Sequence, residues 1–231
     1  MKKYIFRLLG LIFLVSLILI VYQAFGQYED VTVENSVVKN FNYNKYSTQI
    51  TQKFPQLDLL KDGDLLFRRG YGIDSTVSMN FSQGEKRYSH AGIIFKKDNK
   101  VFIVHSEEDK KNGHNGVYVE PIEDFLEGIA IWAVYRFNLT SELRKKVINY
   151  SLTLKEQGII FDIDFNLDED KKMYCSEFIY KVINRTTKQE LISAGKHFLG
   201  RKFVTISDLY QNNSSKLINI SHNILKKGNL K

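Results

Sequence analysis

Apolar positions run through this chain in three rhythms. The first is an unbroken stretch: Leu8 to Val21 is apolar except for Gly10 and Ser16, and Lys2, Lys3 and Arg7 precede it. A basic lead followed by an apolar run has the form of an export signal. Ala24-Phe25-Gly26 puts small residues where a signal peptidase reads them, so cleavage before Gln27 is open to the chain. Counted from Tyr4 to Phe25, the stretch also reaches the about 20 residues that a bilayer-spanning helix needs. Its positive flank would then hold the N-terminus in the cytoplasm and send the rest across. Residues 1–26 are therefore expected to export the chain, as a cleaved signal or as an anchor that joins it to the membrane. No cysteine follows the run, which excludes a lipoprotein signal.

The second and third rhythms are those of strands and helices. Residues 27–59 are polar, rich in Asn, Gln and Tyr, and read as a lead-in without a clear period. Beyond them Asp62-Gly63-Asp64 predicts a turn into a strand at Leu65-Leu66-Phe67. Ser89–Phe95 and Lys100–His105 predict a hairpin closed at Asp98-Asn99. Val117–Val119 and Ile131–Phe137 predict two more strands, with a short helix near Ile122–Leu126 between them. Thr140 is an N-cap candidate for a helix that carries Leu143, Val147, Tyr150 and Leu154 on one face. A second helix is expected from Cys175 to Asn184, burying Phe178, Ile179, Val182 and Ile183. The Lys-rich tail, Lys216–Lys231, reads as a solvated helix face or a frayed end. Strands clustered in the middle with flanking helices predict an α+β domain over residues 60–231, built on a mostly antiparallel sheet.

Composition narrows the chemistry. The net charge of +7 falls to +4 without Lys2, Lys3 and Arg7, too mild to imply nucleic acid. One cysteine among 231 residues excludes an intrachain disulfide framework and any multi-cysteine metal site. Gly63, Gly70 and Gly72 form no nucleotide fingerprint, and there is no Gly-x-Ser-x-Gly elbow. No cofactor is expected.

What remains is Cys175, at the start of a predicted helix. A thiol there faces unpaired backbone N–H groups and the positive end of the helix dipole, both of which favour the thiolate. The thiol is therefore expected to titrate below about 8.5. The alternative is a small buried hydrophobe. A nucleophilic cysteine needs a base, and His90, His105, His114, His197 and His222 are available. His90 opens one strand of the predicted hairpin and His105 ends the other, so pairing through Asp98-Asn99 brings their imidazoles to one end. Ala91 and Gly92 leave room beside the His90 ring, and His114 lies in a polar Asn-Gly loop. A metal site using His90, His105, Glu107 or Glu108, Asp109 and His114 is the rival reading, although this spacing matches no compact ligand motif.

Three segments then carry a resemblance: Gly63-Asp64-Leu65-Leu66-Phe67, Ser89-His90-Ala91-Gly92-Ile93, and Phe161-Asp162 through Phe165 to Tyr174-Cys175-Ser176-Glu177-Phe178. In that order, over roughly Leu60 to Leu209, they resemble the circularly permuted papain-like hydrolases of the NlpC superfamily, in their YiiX-like group. Permutation accounts for the histidine preceding the cysteine. The resemblance implies a papain-like α+β fold with Cys175 as nucleophile and His90 as base. It also implies a third polar residue on the strand after the histidine strand, often Glu in this group. His105 stands there, with Glu107 two residues on as the other candidate.

The reading is an exported thiol hydrolase of an amide bond in cell-wall or related short peptides. Cys175 attacks, His90 moves the proton, and the Cys175 backbone N–H supplies an oxyanion donor. Tyr174 and Ser176 either shape the pocket or serve structure. Two alternatives stay open: a lipid-acyl hydrolase or acyltransferase on the same fold, and a catalytically silent membrane-tethered binding module.

Overall fold

The computed structural model describes residues 41–43, 46–50, 52–70, 87–109, 113–198 and 201–226. The expected export or anchor segment, 1–26, lies outside them. Among the described residues no helix is long and apolar enough to cross a membrane.

In chain order the elements are β1 (Phe41–Tyr43), β2 (Tyr46–Ile50), β3 (Leu65–Gly70), β4 (His90–Lys97), β5 (Lys100–Asp109), β6 (His114–Pro121), α1 (Ile122–Phe125), β7 (Ile129–Phe137), α2 (Ser141–Glu156), α3 (Cys175–Thr187), β8 (Lys196–Phe198), β9 (Arg201–Phe203), a 3-10 turn (Ser207–Leu209), β10 (Ser215–Ile220) and β11 (His222–Lys226). Six of these strands form one antiparallel sheet, in the order β10-β7-β3-β4-β5-β6. The expected α+β architecture is present. Helix α3 packs on α2 and across β4 and β5. The Thr140 hydroxyl caps α2 by accepting the Leu143 N–H at 3.2 Å.

Side chains leave the sheet alternately to two cores. Leu65, Phe67, Ile93, Val104 and Ala133 join the larger core under the helices, with Val147, Phe178 and Ile179. Leu66, Ile94, Ile103 and Trp132 point the other way, into a smaller core closed by Leu60, Ile122 and Phe125. Burial on both faces is why Ala91–Phe95 and Ile131–Tyr135 read as continuous apolar runs instead of alternating ones.

Two segments differ from their sequence reading. The lead-in contains β1 and β2, and β2 pairs with β1 on one side and β11 on the other in a separate small sheet. The Lys-rich tail, as far as Lys226, is β10 and β11, not a helix face; residues 227–231 lie outside the described residues. A bulge between Leu217 and Asn219 breaks the period of two in β10. Ile218 consequently faces the smaller core and Ile220 the larger one, a pattern that no simple period describes. The single turn after β10 is braced by Trp132: its N–H donates to the Ser221 hydroxyl at 2.9 Å, and its carbonyl accepts the Ser221 N–H at 3.0 Å.

At the start of β3 a buried carboxylate ties the turn to the rest of the domain. Arg136 grips both oxygens of Asp64, at 2.7 and 2.6 Å, and the Lys61 N–H donates to Oδ2 at 2.8 Å. Arg144 reaches the same carboxylate at 3.4 Å and the Phe137 carbonyl at 2.9 Å, linking β7 to α2. Removing one partner of a buried pair strands the other's charge. Asp64→Ala is therefore expected to lower stability by about 3–5 kcal/mol. Urea unfolding followed by circular dichroism checks this, and a loss under about 1 kcal/mol would place the arginines' support elsewhere.

Candidate active site

The β4–β5 register opens the site. Ile93 stands opposite Val104, so the residues before Ile93 run alongside those after Val104. The hairpin turns at Asp98-Asn99, both in the left-handed region with φ of 51° and 60°. His90 Nε2 then lies 2.8 Å from His105 Nδ1, with the rings edge to face. Both side chains are buried against Phe125 of the smaller core. Gly92 permits the approach. A Cβ there would stand 2.3 Å from Ile103 Cγ2 and 3.0 Å from His105 Cβ.

Two acids flank the pair. Glu107 Oε2 is 3.9 Å from His90 Nε2 and 3.8 Å from His105 Nδ1, beyond hydrogen-bond reach. It is held instead by Arg68 at 2.6 Å and by the Tyr118 hydroxyl at 3.3 Å. Arg68 in turn donates to the Phe125 carbonyl at 2.7 Å and stacks over the Phe125 ring. Glu120 Oε1 lies 3.0 Å from the far nitrogen of His105, Nε2, and neither atom meets hydrogen-bond geometry with a partner among the described residues. Of the two candidates for a hydrogen bond to His90, the geometry selects His105.

Every residue of the Tyr174–Glu177 turn has an identifiable position. The Tyr174 hydroxyl accepts the Val204 N–H at 2.9 Å, and the Ser176 hydroxyl donates to the Val204 carbonyl at 2.9 Å. Both side chains thus fasten the start of α3 to the segment after β9, which answers the question of pocket or structure. Glu177 accepts the Tyr174 N–H at 3.2 Å, capping the helix, and pairs with buried Lys181 at 2.8 Å. Cys175, partly buried and unpaired, is left for chemistry. Its place is set from β5 and β6. Ser106, between His105 and Glu107, donates to the Met173 carbonyl at 2.5 Å, two residues before the cysteine. The Val117 N–H donates to the Ile159 carbonyl at 2.8 Å, and Gly116 has no room for a Cβ, which would meet that same oxygen.

The expected low thiol pKa is not what the structure supports. Burial pushes the Cys175 thiol up to about 12, and the Glu107 charge adds to the rise. The N–H groups of Ser176 and Cys175 and the Arg68 charge act the other way without overcoming it. Burial also drives His90 well below its ordinary value and lowers His105, with Glu107 and Glu120 only partly opposing. For Glu107, burial acts upward but His90, Arg68 and His105 outweigh it and hold the carboxyl at about 2. The thiol and both imidazoles are thus neutral at rest, and the negative charge sits on Glu107. The sulfur and the histidines share this electrostatic neighbourhood, but no hydrogen bond joins Cys175 to either ring.

The metal reading reduces to His90, His105 and Glu107, whose donor atoms lie within 4.8 Å of one another. Glu108 and Asp109 stand outside this group. His114 belongs to β6 instead of a loop and stacks on Tyr118 at 4.2 Å. A tetrahedral zinc with nitrogen bonds of about 2.0–2.1 Å would hold two imidazole nitrogens about 3.3 Å apart. At 2.8 Å they are hydrogen-bonded to each other, and Arg68 already occupies Glu107. The cluster as built fits a hydrogen-bond relay better than a metal centre.

Arg68 and Glu120 lie just past the predicted strand ends at Phe67 and Val119, and Tyr118, inside its predicted strand, carries no chemical signal of its own. Extending the period of two by one or two residues puts Arg68 on the Leu66 face and Glu120 on the Tyr118 face.

A model of the family described as "Permuted papain-like amidase enzyme, YaeF/YiiX, C92 family" matches residues 59–219, well over half of the chain. No curated protein matches. Among solved structures, the crystal structure titled metalloprotein yiiX from Escherichia coli O157:H7 is similar at a TM-score of 0.56 and 16% identity. That match covers 69% of this chain and 96% of the other.

Gly92→Ala tests the packing beneath the histidine pair. The added methyl must displace Ile103 or His105, and overpacking of this kind costs about 1–3 kcal/mol. A lower urea midpoint with unchanged slope is expected; an unchanged midpoint would mean that β4 and β5 separate freely.

Proposed function

The chain belongs to the permuted papain-like amidase family, and from that premise we propose that it is an exported cysteine amidase acting on cell-wall or related short peptides. The family is one of amide-bond hydrolases. The observation that carries the mechanism is the His90–His105 hydrogen bond at 2.8 Å, on the strands over which the Cys175 helix packs. Cys175 is the nucleophile and His90 the base.

Because both groups rest neutral, the thiol proton passes to His90 as Sγ attacks the carbonyl carbon. The carbonyl π electrons move to oxygen, where the Cys175 N–H at the start of α3 stabilises them. Collapse of the tetrahedral species expels the amine, which takes the proton from His90, and leaves a thioester. Water then hydrolyses the thioester with His90 again as base, restoring the thiol. His105 holds the His90 ring through Nε2, leaving Nδ1 for the sulfur. Catalytic hydrogen bonds that are open in the free enzyme commonly close once substrate is bound.

A second reading has one observation in its favour. Ile160, Ile163 and Phe165, in the loop leading to Cys175, are 43%, 66% and 39% exposed, and Phe165 packs on Tyr174. Apolar side chains beside a nucleophile suit an acyl chain, which favours a lipid-linked substrate. Peptide and lipid substrate panels separate the two readings.

Cys175→Ala is expected to abolish turnover, and His90→Ala to lower it by about 10²–10⁴-fold. His105→Asn, which keeps a hydrogen-bonding group, should retain more activity than His105→Ala. The pH profile carries a sign: a histidine held below its ordinary value stays unprotonated on acidification, so the acid limb of kcat/KM should lie below about 6.5. A limb at or above that value overturns the neutral-pair mechanism, and near-normal turnover of His90→Ala overturns the assignment of the base. Chelator is expected to leave activity unchanged; loss restored by zinc would reinstate the metal reading.

Export rests on Lys2, Lys3, Arg7 and the apolar run that follows. Native protein should have the mass of a chain beginning at Gln27, or appear intact in the membrane fraction. Full-length protein recovered from the cytosol after gentle lysis would exclude export.

A further inference from the structure

Glu120 has no part in the family resemblance or in the mechanism as set out, yet it lies against His105, the partner of His90. Its carboxylate lies on β6, diagonal to His105: Tyr118 is the direct cross-strand partner, and Glu120 follows two residues later on the same face. Glu120 Oε1 and His105 Nε2, 3.0 Å apart, are both buried, and neither meets hydrogen-bond geometry among the described residues, with each other or with a third group. Buried polar atoms left without a partner are costly, so each is the other's means of satisfaction.

A carboxylate can only accept, and a neutral imidazole carries one N–H. Next to Glu120, the His105 proton must therefore sit on Nε2, which leaves Nδ1 with a lone pair. That lone pair accepts the hydrogen bond from His90, so the His90 proton sits on Nε2 and its Nδ1 is bare. The opposite tautomer of His105 would donate from Nδ1 into His90 Nε2. The His90 proton would then move to Nδ1, the nitrogen that must take the thiol proton. Glu107 does not set this choice, because it is 3.8 Å from His105 Nδ1 and bound to Arg68. We propose that Glu120 is a positioning residue that selects the base tautomer of His90 through His105, a relay of three side chains on β6, β5 and β4.

The inference rests on the reading of His90 as base, and the test keeps the two apart. In ¹⁵N-histidine-labelled native protein, protonated and lone-pair ring nitrogens resonate far apart. His90 and His105 are both expected to carry the proton on Nε2, a measurement that requires no substitution at Glu120. Glu120→Gln, whose amide can donate as well as accept, is expected to populate the reversed tautomers. It should lower kcat at least about tenfold, a part of the roughly 10²–10⁴-fold that a positioned acid–base group supplies, and leave KM unchanged. A wild-type His90 protonated on Nδ1 would overturn the inference. So would a folded Glu120→Gln protein with wild-type kcat and unchanged histidine resonances. If Cys175→Ala and His90→Ala remain active, the amidase mechanism itself fails, whichever tautomer the spectra show.

Discussion

The register in which β4 pairs with β5 is the constraint on which the site depends. With Ile93 opposite Val104, the backbones bring His90, His105 and Glu107 onto one face at one end of the sheet. The histidine rings meet at 2.8 Å because Gly92 has no side chain to hold Ile103 and His105 away. A slip of one residue would turn His105 into the larger core and bring Ser106 or Val104 to the His90 face. Burial on both faces of the strands opposes that slip, since it would put polar groups into each core. The hydrophobic packing that stabilises the sheet therefore also selects the imidazole contact.

Burial then decides the charge states. A helix N-terminus and two nearby backbone N–H groups would ordinarily draw a thiol toward its anion. Here desolvation, joined by the Glu107 charge, outweighs them and keeps Cys175 protonated. The same desolvation keeps the imidazoles neutral. Arg68 matters because it binds Glu107, a carboxylate that would otherwise compete for His90. The consequence is a site whose thiol and imidazoles are held toward their neutral forms by burial.

The Tyr174–Glu177 turn shows how a short motif divides its tasks. Tyr174 and Ser176 hold the two polar groups of the Val204 peptide, and Glu177 caps the helix and pairs with Lys181. Ser106 and Gly116 position the approach to that turn from the sheet side. The thiol is placed by groups from β5, β6 and the segment after β9.

Period and turn chemistry in the sequence determined the central strands, the β4–β5 hairpin, both long helices and the α+β class, because local spacing records which side chains face inward. The same spacing singled out Cys175, His90 and His105, since a residue at the end of a strand or the start of a helix is legible from its neighbours. Only the tertiary structure decided the rest. Strands β2, β10 and β11 form because partners remote in sequence pair with them, β1 then pairs with β2, and a bulge hides the period of β10. The local period gives the faces of Glu120 and Arg68, but which side chains they meet, His105 and Glu107, is decided by pairing across the sheet. The thiol pKa runs opposite to the local expectation because a helix start is visible in sequence, whereas desolvation depends on every chain segment that excludes water from the sulfur.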